Sequence, residues 1–322
     1  MQVLAGDIGG TNTRLAVMED GRILLKRHYP SGNFSDFQAV LSRFLSELPG
    51  NRPLHCCLAV AGIVKNDTAT PTNISWSIDG SDLKNCFSFD TVRLINDFEA
   101  AAWGTLLVSG TDLVQIGGGH PVQDGPRAVL GAGTGLGQAL VVPCQGGHQV
   151  LPGEGGHADF APGNEKEVRL LKFLWRRFSH VSMERVLSGP GLVNIHRFLS
   201  SESVSRDNVA DIDSHGKLTP AEIARNAVEE IDTLCTEALT MFARIYGAEA
   251  GNLALRSLAT GGVYVAGGIA PRILTVLERG DFRNAFEDKG RMRKFLRDIP
   301  VFVVTTGHLG LLGAGFVAGR EQ

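Results

Sequence analysis

Asp7 stands just before two adjacent glycines, and Thr11 and Asn12 stand just after them, within the run Val3–Val17. Glycines at a tight turn let main-chain N–H groups approach an anion with no Cβ in the way. A carboxylate beside such a turn does not itself favour phosphate, so Asp7 reads as facing a cation that travels with it. The stretch reads equally as a nucleotide–metal turn or as an ordinary Gly-Gly hairpin. A second carboxylate, Asp97, follows Asn96 at the end of a β-rich run, just before an alanine-rich helix. Open α/β sheets bind ligands at that edge; the plain alternative is that Asp97 caps the helix. A third set is Glu154 and His157 in L-P-G-E-G-G-H-A-D-F. Flanking glycines prevent a stable helix there, so the pair reads as loop groups recognising a small polar ligand. Glu184 precedes S-G-P-G at Ser188–Gly191. A zinc site from Cys144, His148 and His157 is the weaker alternative for the His and Cys residues.

These residues need a frame. Ala128–Val142 repeats the opening pattern of strand, glycine turn with a threonine (Thr134), and strand. Two such hairpins imply two related lobes, each giving one turn to a shared cleft. The glycine spacing is neither a P-loop nor a dinucleotide fingerprint, and no H-R-D or D-F-G accompanies it. Gly267-Gly268 after the strand Val263–Ala266 forms another corner suited to ligand approach or to tight packing.

Periodicity supplies the remaining elements. Strands are expected at Arg22–His28, Leu54–Ala61, Thr91–Ile95 and Val301–Thr305. Helices are expected at Phe34–Leu48, Asp79–Cys86, Phe98–Leu107, Glu165–Phe178, from Leu192, from the capping box at Thr219–Glu222, and through Ile231–Ile245 to a stop at Gly247. A last Gly/Ala-rich helix is expected at Leu309–Ala318. Gly62 and Asn66-Asp67 read as turns, Thr70–Ile78 as a loop with an exposed Trp76, Ser200–Gly216 as a surface loop, and Gly117–Gly125 as a lobe boundary.

The chain has 322 residues, 43% hydrophobic, with a net charge of −3. That length gives one large domain or two lobes. No basic excess exists to follow nucleic acid. Five cysteines without a C-x-x-C spacing fit a reducing compartment. Met1 leads directly into a strand, and no apolar run reaches membrane-spanning length. The expectation is a soluble cytoplasmic protein.

Taken in order, G-D-I-G-G-T-N at Gly6–Asn12, I-N-D-F at Ile95–Phe98, G-A-G-T-G-L-G at Gly131–Gly137, L-P-G-E-G-G-H at Leu151–His157, E-R-V-L-S-G-P-G-L at Glu184–Leu192 and G-G-V-Y-V-A-G-G-I at Gly261–Ile269 resemble the motifs of bacterial-type glucokinases. These belong to the hexokinase and actin-like ATPase superfamily. The resemblance implies an α/β fold of two lobes in the actin-like (ribonuclease H-like) pattern, each a mixed sheet flanked by helices, with a cleft between them. The small lobe would be 1–110, completed by 304–322, and the large lobe 111–303.

The resemblance also implies roles. Asp97 would be the general base on the sugar 6-hydroxyl as it attacks the γ-phosphate of ATP. Asn96, Asp97, Glu154, His157 and Glu184 would bind glucose. Gly6, Asp7, Gly9, Gly10, Thr11, Gly133 and Thr134 would hold the phosphates, and Gly267 and Gly268 would lie near the adenosine. Asp7 would hold Mg²⁺ through water. Lobe closure would exclude water from the transfer. A homodimer is implied. No structural zinc and no DNA-binding domain are expected, because the cysteine-rich motif of the related repressor/kinase group is missing. Two alternatives stand beside this reading: a non-catalytic sugar sensor on the same fold, and a kinase for another sugar such as N-acetylmannosamine or fructose.

Overall fold

The computed structural model describes residues 1–71, 74–203 and 218–320. The chain divides into two compact units. The first comprises Met1–Gly110, Val150–Pro152 and Thr306–Gln322; the second comprises Thr111–Gln149 and Gly153–Thr305. The division falls at Gly110. The segment Gly117–Gly125, expected as a boundary, lies inside the second unit.

In the first unit β1 (Gln2–Ile8), β2 (Asn12–Glu19) and β3 (Arg22–Pro30) form an antiparallel meander. Helix α1 (Phe37–Ser46) follows, its first turn capped by Asp36, whose Oδ1 accepts the Ala39 N–H at 2.8 Å. The apolar positions Phe37, Val40, Leu41, Phe44 and Leu45 are all buried, as the 3.6-residue period requires. They meet Leu4, Ile8, Leu15 and Leu58 in the unit's core. Strand β4 (His55–Val60) is parallel to β1.

A small antiparallel sheet comes next: β5 (Gly62–Lys65), β6 (Thr68–Pro71) and β7 (Ile78–Asp79). It corrects two expectations. Gly62 is in a strand; only Asn66 and Asp67 turn, both at positive φ (50° and 57°). Part of the expected loop Thr70–Ile78 is strand, and Trp76 is buried at 3% exposure, its ring 6.4 Å from that of Phe37. Polar neighbours hid an indole that α1 buries. Thr72 and Asn73 lie outside the described residues. Helix α2 (Gly80–Phe87) leads to β8 (Thr91–Asn96), parallel to β4, and α3 (Asp97–Gly104) follows directly.

The second unit repeats the plan. β9 (Leu113–Gln115) precedes β10 (Arg127–Ala132), β11 (Leu136–Cys144) and β12 (Gly147–Gly153), of which Val150–Pro152 are grouped with the first unit. The glycine loop holding Glu154 therefore begins later than expected, since Leu151–Gly153 is still strand. Then come α4 (Glu165–Trp175), α5 (Gly189–Ser203), α6 (Pro220–Val228), α7 (Thr233–Ser257) and β13 (Gly262–Ala266). Short helices α8 (Leu274–Leu277), α9 (Asp281–Glu287) and α10 (Arg293–Asp298) precede β14 (Val301–Val304). Helix α5 starts at Gly189, earlier than Leu192, and 200–203 is helical rather than loop. The rest of the expected loop, 204–216, lies outside the described residues.

Helix α7 is 25 residues long, about 37 Å at 1.5 Å per residue. It does not stop at Gly247. A Cβ there would lie 1.9 Å from the Phe282 carbonyl oxygen, and one at Gly251 would lie 2.5 Å from that of Phe286. These glycines are the surface on which α9 rests, so close approach outweighs helix propensity.

The sheet orders match: β3-β2-β1-β4-β8 in the first unit and β12-β11-β10-β13-β14 in the second, which adds β9 at its edge. In each, an antiparallel hairpin is extended by two parallel strands. Each unit has its own core. The chain ends in α11 (Leu309–Arg320), which packs on α3 and β1 of the first unit. Its glycines permit this. A Cβ at Gly313 would lie 1.7 Å from the Ala100 oxygen, and one at Gly315 would lie 2.4 Å from the Met18 sulfur. Among the described residues no helix is long and apolar enough to cross a membrane.

Candidate active site

The parallel register of the first unit places its chemistry. Ile8 pairs with Val60, and Val60 pairs with Asn96. The carboxyl ends of β1, β4 and β8 are therefore level. The turn after β1 and the carboxylate after β8 leave the same sheet edge two strands apart, about 10 Å at the usual strand spacing.

Asn96, not Asp97, is the cap of α3. Its Oδ1 accepts the N–H groups of Phe98 (2.8 Å) and Glu99 (3.2 Å), and its Nδ2 donates to the Gly62 oxygen at 3.1 Å. With the cap supplied by Asn96, Asp97 is the first helical residue, partly exposed, at a helix N-terminus that favours negative charge. The same cap commits most of the Asn96 amide, leaving one of its N–H bonds for a ligand. Glu99, one turn further on, is pushed up from the usual carboxyl range by burial, with Arg93 opposing.

The first turn is set by hydrogen bonds. Gly9 N–H donates to the Asn12 oxygen at 2.9 Å. A buried Ser31 braces it from β3's end: its Oγ donates to the Gly9 oxygen (2.8 Å), its N–H donates to the Thr11 oxygen (2.9 Å), and its hydroxyl meets that of Thr13 at 3.0 Å. Gly6 lets Leu58 pack closely: a Cβ there would lie 2.6 Å from Leu58 Cδ2, so the leucine would have to shift. Gly10 and Thr11 complete the turn. Asp7 pairs with Arg14, directly opposite on β2, with Nη1 to Oδ2 at 2.9 Å. That bond occupies one carboxylate oxygen. The other is a hard donor of the kind Mg²⁺ takes, one carboxylate supplementing substrate phosphates and water. Asp7 therefore fits the ion. Among the described residues no group of three His, Cys, Asp or Glu is placed to hold a metal by itself.

In the second unit β10 and β13 are parallel, with Gly131 opposite Ala266. Gly133-Thr134 and Gly267-Gly268 thus emerge side by side. Gly267 has φ +83°, and a Cβ on it would lie 2.5 Å from the Ala132 oxygen, so only glycine serves there. A fully buried Tyr246 bolts these ends together. Its hydroxyl accepts the Ala132 N–H at 3.0 Å and donates to the Ala266 oxygen at 3.4 Å.

The loop bearing Glu154 and His157 lies flat on β11. A Cβ at Gly155 would lie 2.1 Å from Gln138 Oε1, and one at Gly156 would lie 2.2 Å from the Leu136 oxygen. The Gln138 amide is fixed by buried Glu249, with Nε2 to Oε1 at 2.9 Å. Glu154 Oε2 and His157 Nε2 are 3.8 Å apart, and both side chains are largely exposed. Beyond them the chain is zipped to the Glu184 segment. Phe160 N–H donates to the Val181 oxygen and Met183 N–H donates to the Ala158 oxygen. Glu184 Oε2 accepts the Leu136 N–H at 2.9 Å. The second unit therefore brings together Glu154, His157, Glu184, Gly133 and Thr134, with Gly267 and Gly268 alongside. The first unit brings together Gly6–Thr11, Asn96 and Asp97.

Ser31, Arg14, Gln138 and Tyr246 were not singled out from sequence. A two-residue turn at Gly9-Gly10 would set Asp7 opposite Asn12; the register pairs it with Arg14 because the turn centres on Gly10-Thr11. Ser31, Gln138 and Tyr246 carry no local signal, because their partners are distant in sequence.

The glucokinase family profile matches residues 4–321. The glucokinase of Nostoc sp. is 40% identical, over 99% of each chain. Among solved structures, a glucokinase from an Antarctic psychrotroph aligns with a TM-score of 0.88 at 32% identity, covering 99% of each chain. The Balamuthia mandrillaris glucokinase, solved in complex with glucose, aligns at 0.81 and 27% identity, covering 99% of this chain and 93% of that one. The fold is the mixed α/β fold of the actin-like ATPases, and the chain belongs to the glucokinase family.

Proposed function

We propose that this chain uses ATP to phosphorylate D-glucose at its 6-hydroxyl. It is a glucose kinase, and glucose is the sugar bound in the Balamuthia relative. The observation that carries the mechanistic reading is the level register of β1, β4 and β8. It puts a carboxylate and a backbone anion turn on one sheet edge.

In this reading Asp97 accepts the proton of the 6-hydroxyl as that oxygen attacks the γ-phosphorus, and the phosphoryl oxygen bond to ADP breaks. Phosphoryl transfer needs little covalent help, so positioning and charge neutralisation supply most of the rate. In the turns Gly9–Thr11 and Gly133-Thr134 the backbone N–H groups of Gly10, Thr11 and Thr134 are offered to the phosphates, while those of Gly9 and Gly133 close the turns onto the Asn12 and Gly135 oxygens. Asp7 would hold Mg²⁺, and the ion would neutralise phosphate charge. Arg14 keeps Asp7 aimed. Glu154, His157 and Glu184 accept sugar hydroxyls, where charged acceptors make the stronger bonds, and Asn96 adds its remaining N–H. Gly267 and Gly268 leave room for the adenosine.

The first unit, with 304–322, is read as the small lobe (1–110), and 111–303 as the large lobe. A cytoplasmic homodimer that binds neither nucleic acid nor membrane completes the proposal; light scattering on the purified chain tests the dimer. The activity is tested by a coupled assay across hexoses and across ATP, ADP and polyphosphate. Glucose with ATP is expected to give the highest kcat/KM. Preference for another acceptor overturns the substrate assignment.

A further inference from the structure

One carboxylate of the second unit makes a bond that sugar recognition alone does not require. Glu184 sits in the single 3-10 turn Met183–Arg185. Its Oε2 accepts the N–H of Leu136, the residue that opens β11 directly after the glycine turn. A Cβ on Gly135 would lie 2.5 Å from the same oxygen, so the carboxylate rests against the turn's backbone. The other end of the turn is held by the same segment, because Gly189 N–H donates to the Gly133 oxygen at 2.8 Å. Ser188 stiffens the connection: its Oγ donates to the main-chain carbonyl oxygen of Glu184 at 2.7 Å and accepts the Gly191 N–H at 3.0 Å. Residues 184–189 therefore clasp both ends of the turn.

We propose that Glu184 is shared between the two substrates. Oε2 fixes the phosphate turn through Leu136, and Oε1 takes a sugar hydroxyl, so sugar and nucleotide affinities are coupled through one side chain. This rests on the assignments of Glu184 to sugar and of Gly133-Thr134 to phosphate. The physical basis is that a carboxylate has two oxygens with several lone-pair directions in one rigid plane. A hydroxyl that orients Oε1 orients Oε2 as well, and a charge-assisted bond to a backbone N–H is among the stronger ones available. Coupling of this kind is reciprocal: each substrate tightens the other by the same factor. Glu154 provides the contrast. It is 75% exposed and pairs with His157 in its own loop.

The test uses titration calorimetry of the full chain with AMPPNP and with glucose, each alone and each in the presence of the other. In the wild type, glucose is expected to tighten AMPPNP about fivefold or more, in the usual range of such couplings. E184Q keeps an amide oxygen for the Leu136 N–H, so AMPPNP measured without sugar stays within about threefold while glucose weakens about tenfold or more. E184A leaves that N–H without its acceptor, so AMPPNP without sugar weakens about tenfold and glucose no longer shifts it. E154Q weakens glucose and leaves AMPPNP, measured without sugar, at its wild-type value. Wild-type AMPPNP affinity in E184A, or no coupling in the wild type, overturns the shared role; the second result does so even where E184A does not fold. A wild type that binds glucose but no AMPPNP overturns the nucleotide reading itself.

Discussion

In the first unit the turn after β1 is braced by a serine; in the second, the turn after β10 is braced by a carboxylate. The hairpins share a chain path and a sheet position. Their anchors differ in chemistry. Ser31 is buried, and among the described residues its hydrogen bonds go to main chain and to Thr13. Glu184 is partly exposed, and it also stands among the groups proposed to hold sugar. Duplicated backbone geometry thus leaves the wiring free to diverge. One turn is a fixed shelf, and the other is tied to the occupancy of a neighbouring site.

This difference can be broken from either side. The larger effect is expected at Gly135. In G135A the new methyl displaces Glu184 Oε2, so KM rises about tenfold for both ATP and glucose, a modest packing conflict converted into lost binding. A glycine-to-alanine change in the first turn, G9A, meets only the Asn12 oxygen at 3.3 Å. It raises KM for ATP about threefold and leaves that for glucose unchanged. Steady-state kinetics on both variants checks the contrast, and equal effects on glucose would remove it.

Ser31→Ala comes next. It strips a partner from the Gly9 oxygen and from the buried Thr13 hydroxyl, costing about 1–2 kcal/mol of stability. Chemical denaturation measures that loss, and KM for ATP rises with no change for glucose.

The smallest effect concerns carboxylates beneath the sites. In the second unit, buried Glu249 is met by Gln138 at 2.9 Å and Asn252 at 3.0 Å. In the first, burial raises Glu99, and Arg93 only partly opposes this. A carboxyl raised on folding contributes stability below the unfolded carboxyl range and loses it as pH rises through the folded value. E99Q removes the charge that folding disfavours. Its Tm gain is expected to be about 1–2 °C at pH 7.5 and to vanish near pH 4; a gain that grows toward acid would contradict the sign.

The sequence made the repeat legible because glycine turns between apolar runs are local signals. The capping box at Thr219 and Glu222 was legible for the same reason. Gly247 misled because a glycine in an isolated helix is a weak point, whereas here α9 crosses it. Trp76 misled because its polar neighbours say nothing of the α1 ring that covers it. Asp97 was open between cap and catalyst until Asn96 proved to hold both cap bonds. The braces Ser31, Glu184 and Tyr246 act over long sequence separations, so no spacing rule could announce what they touch.

The most direct test of the account is Asp97→Asn, which removes the proposed base and keeps the shape of the helix start. Glucose Kd by calorimetry and kcat by coupled assay are measured on the same preparation. A glucose Kd within about threefold of wild type and a kcat lower by about 10³ are predicted, as expected when a general base is lost. A kcat within tenfold of wild type, with glucose still bound, would contradict it.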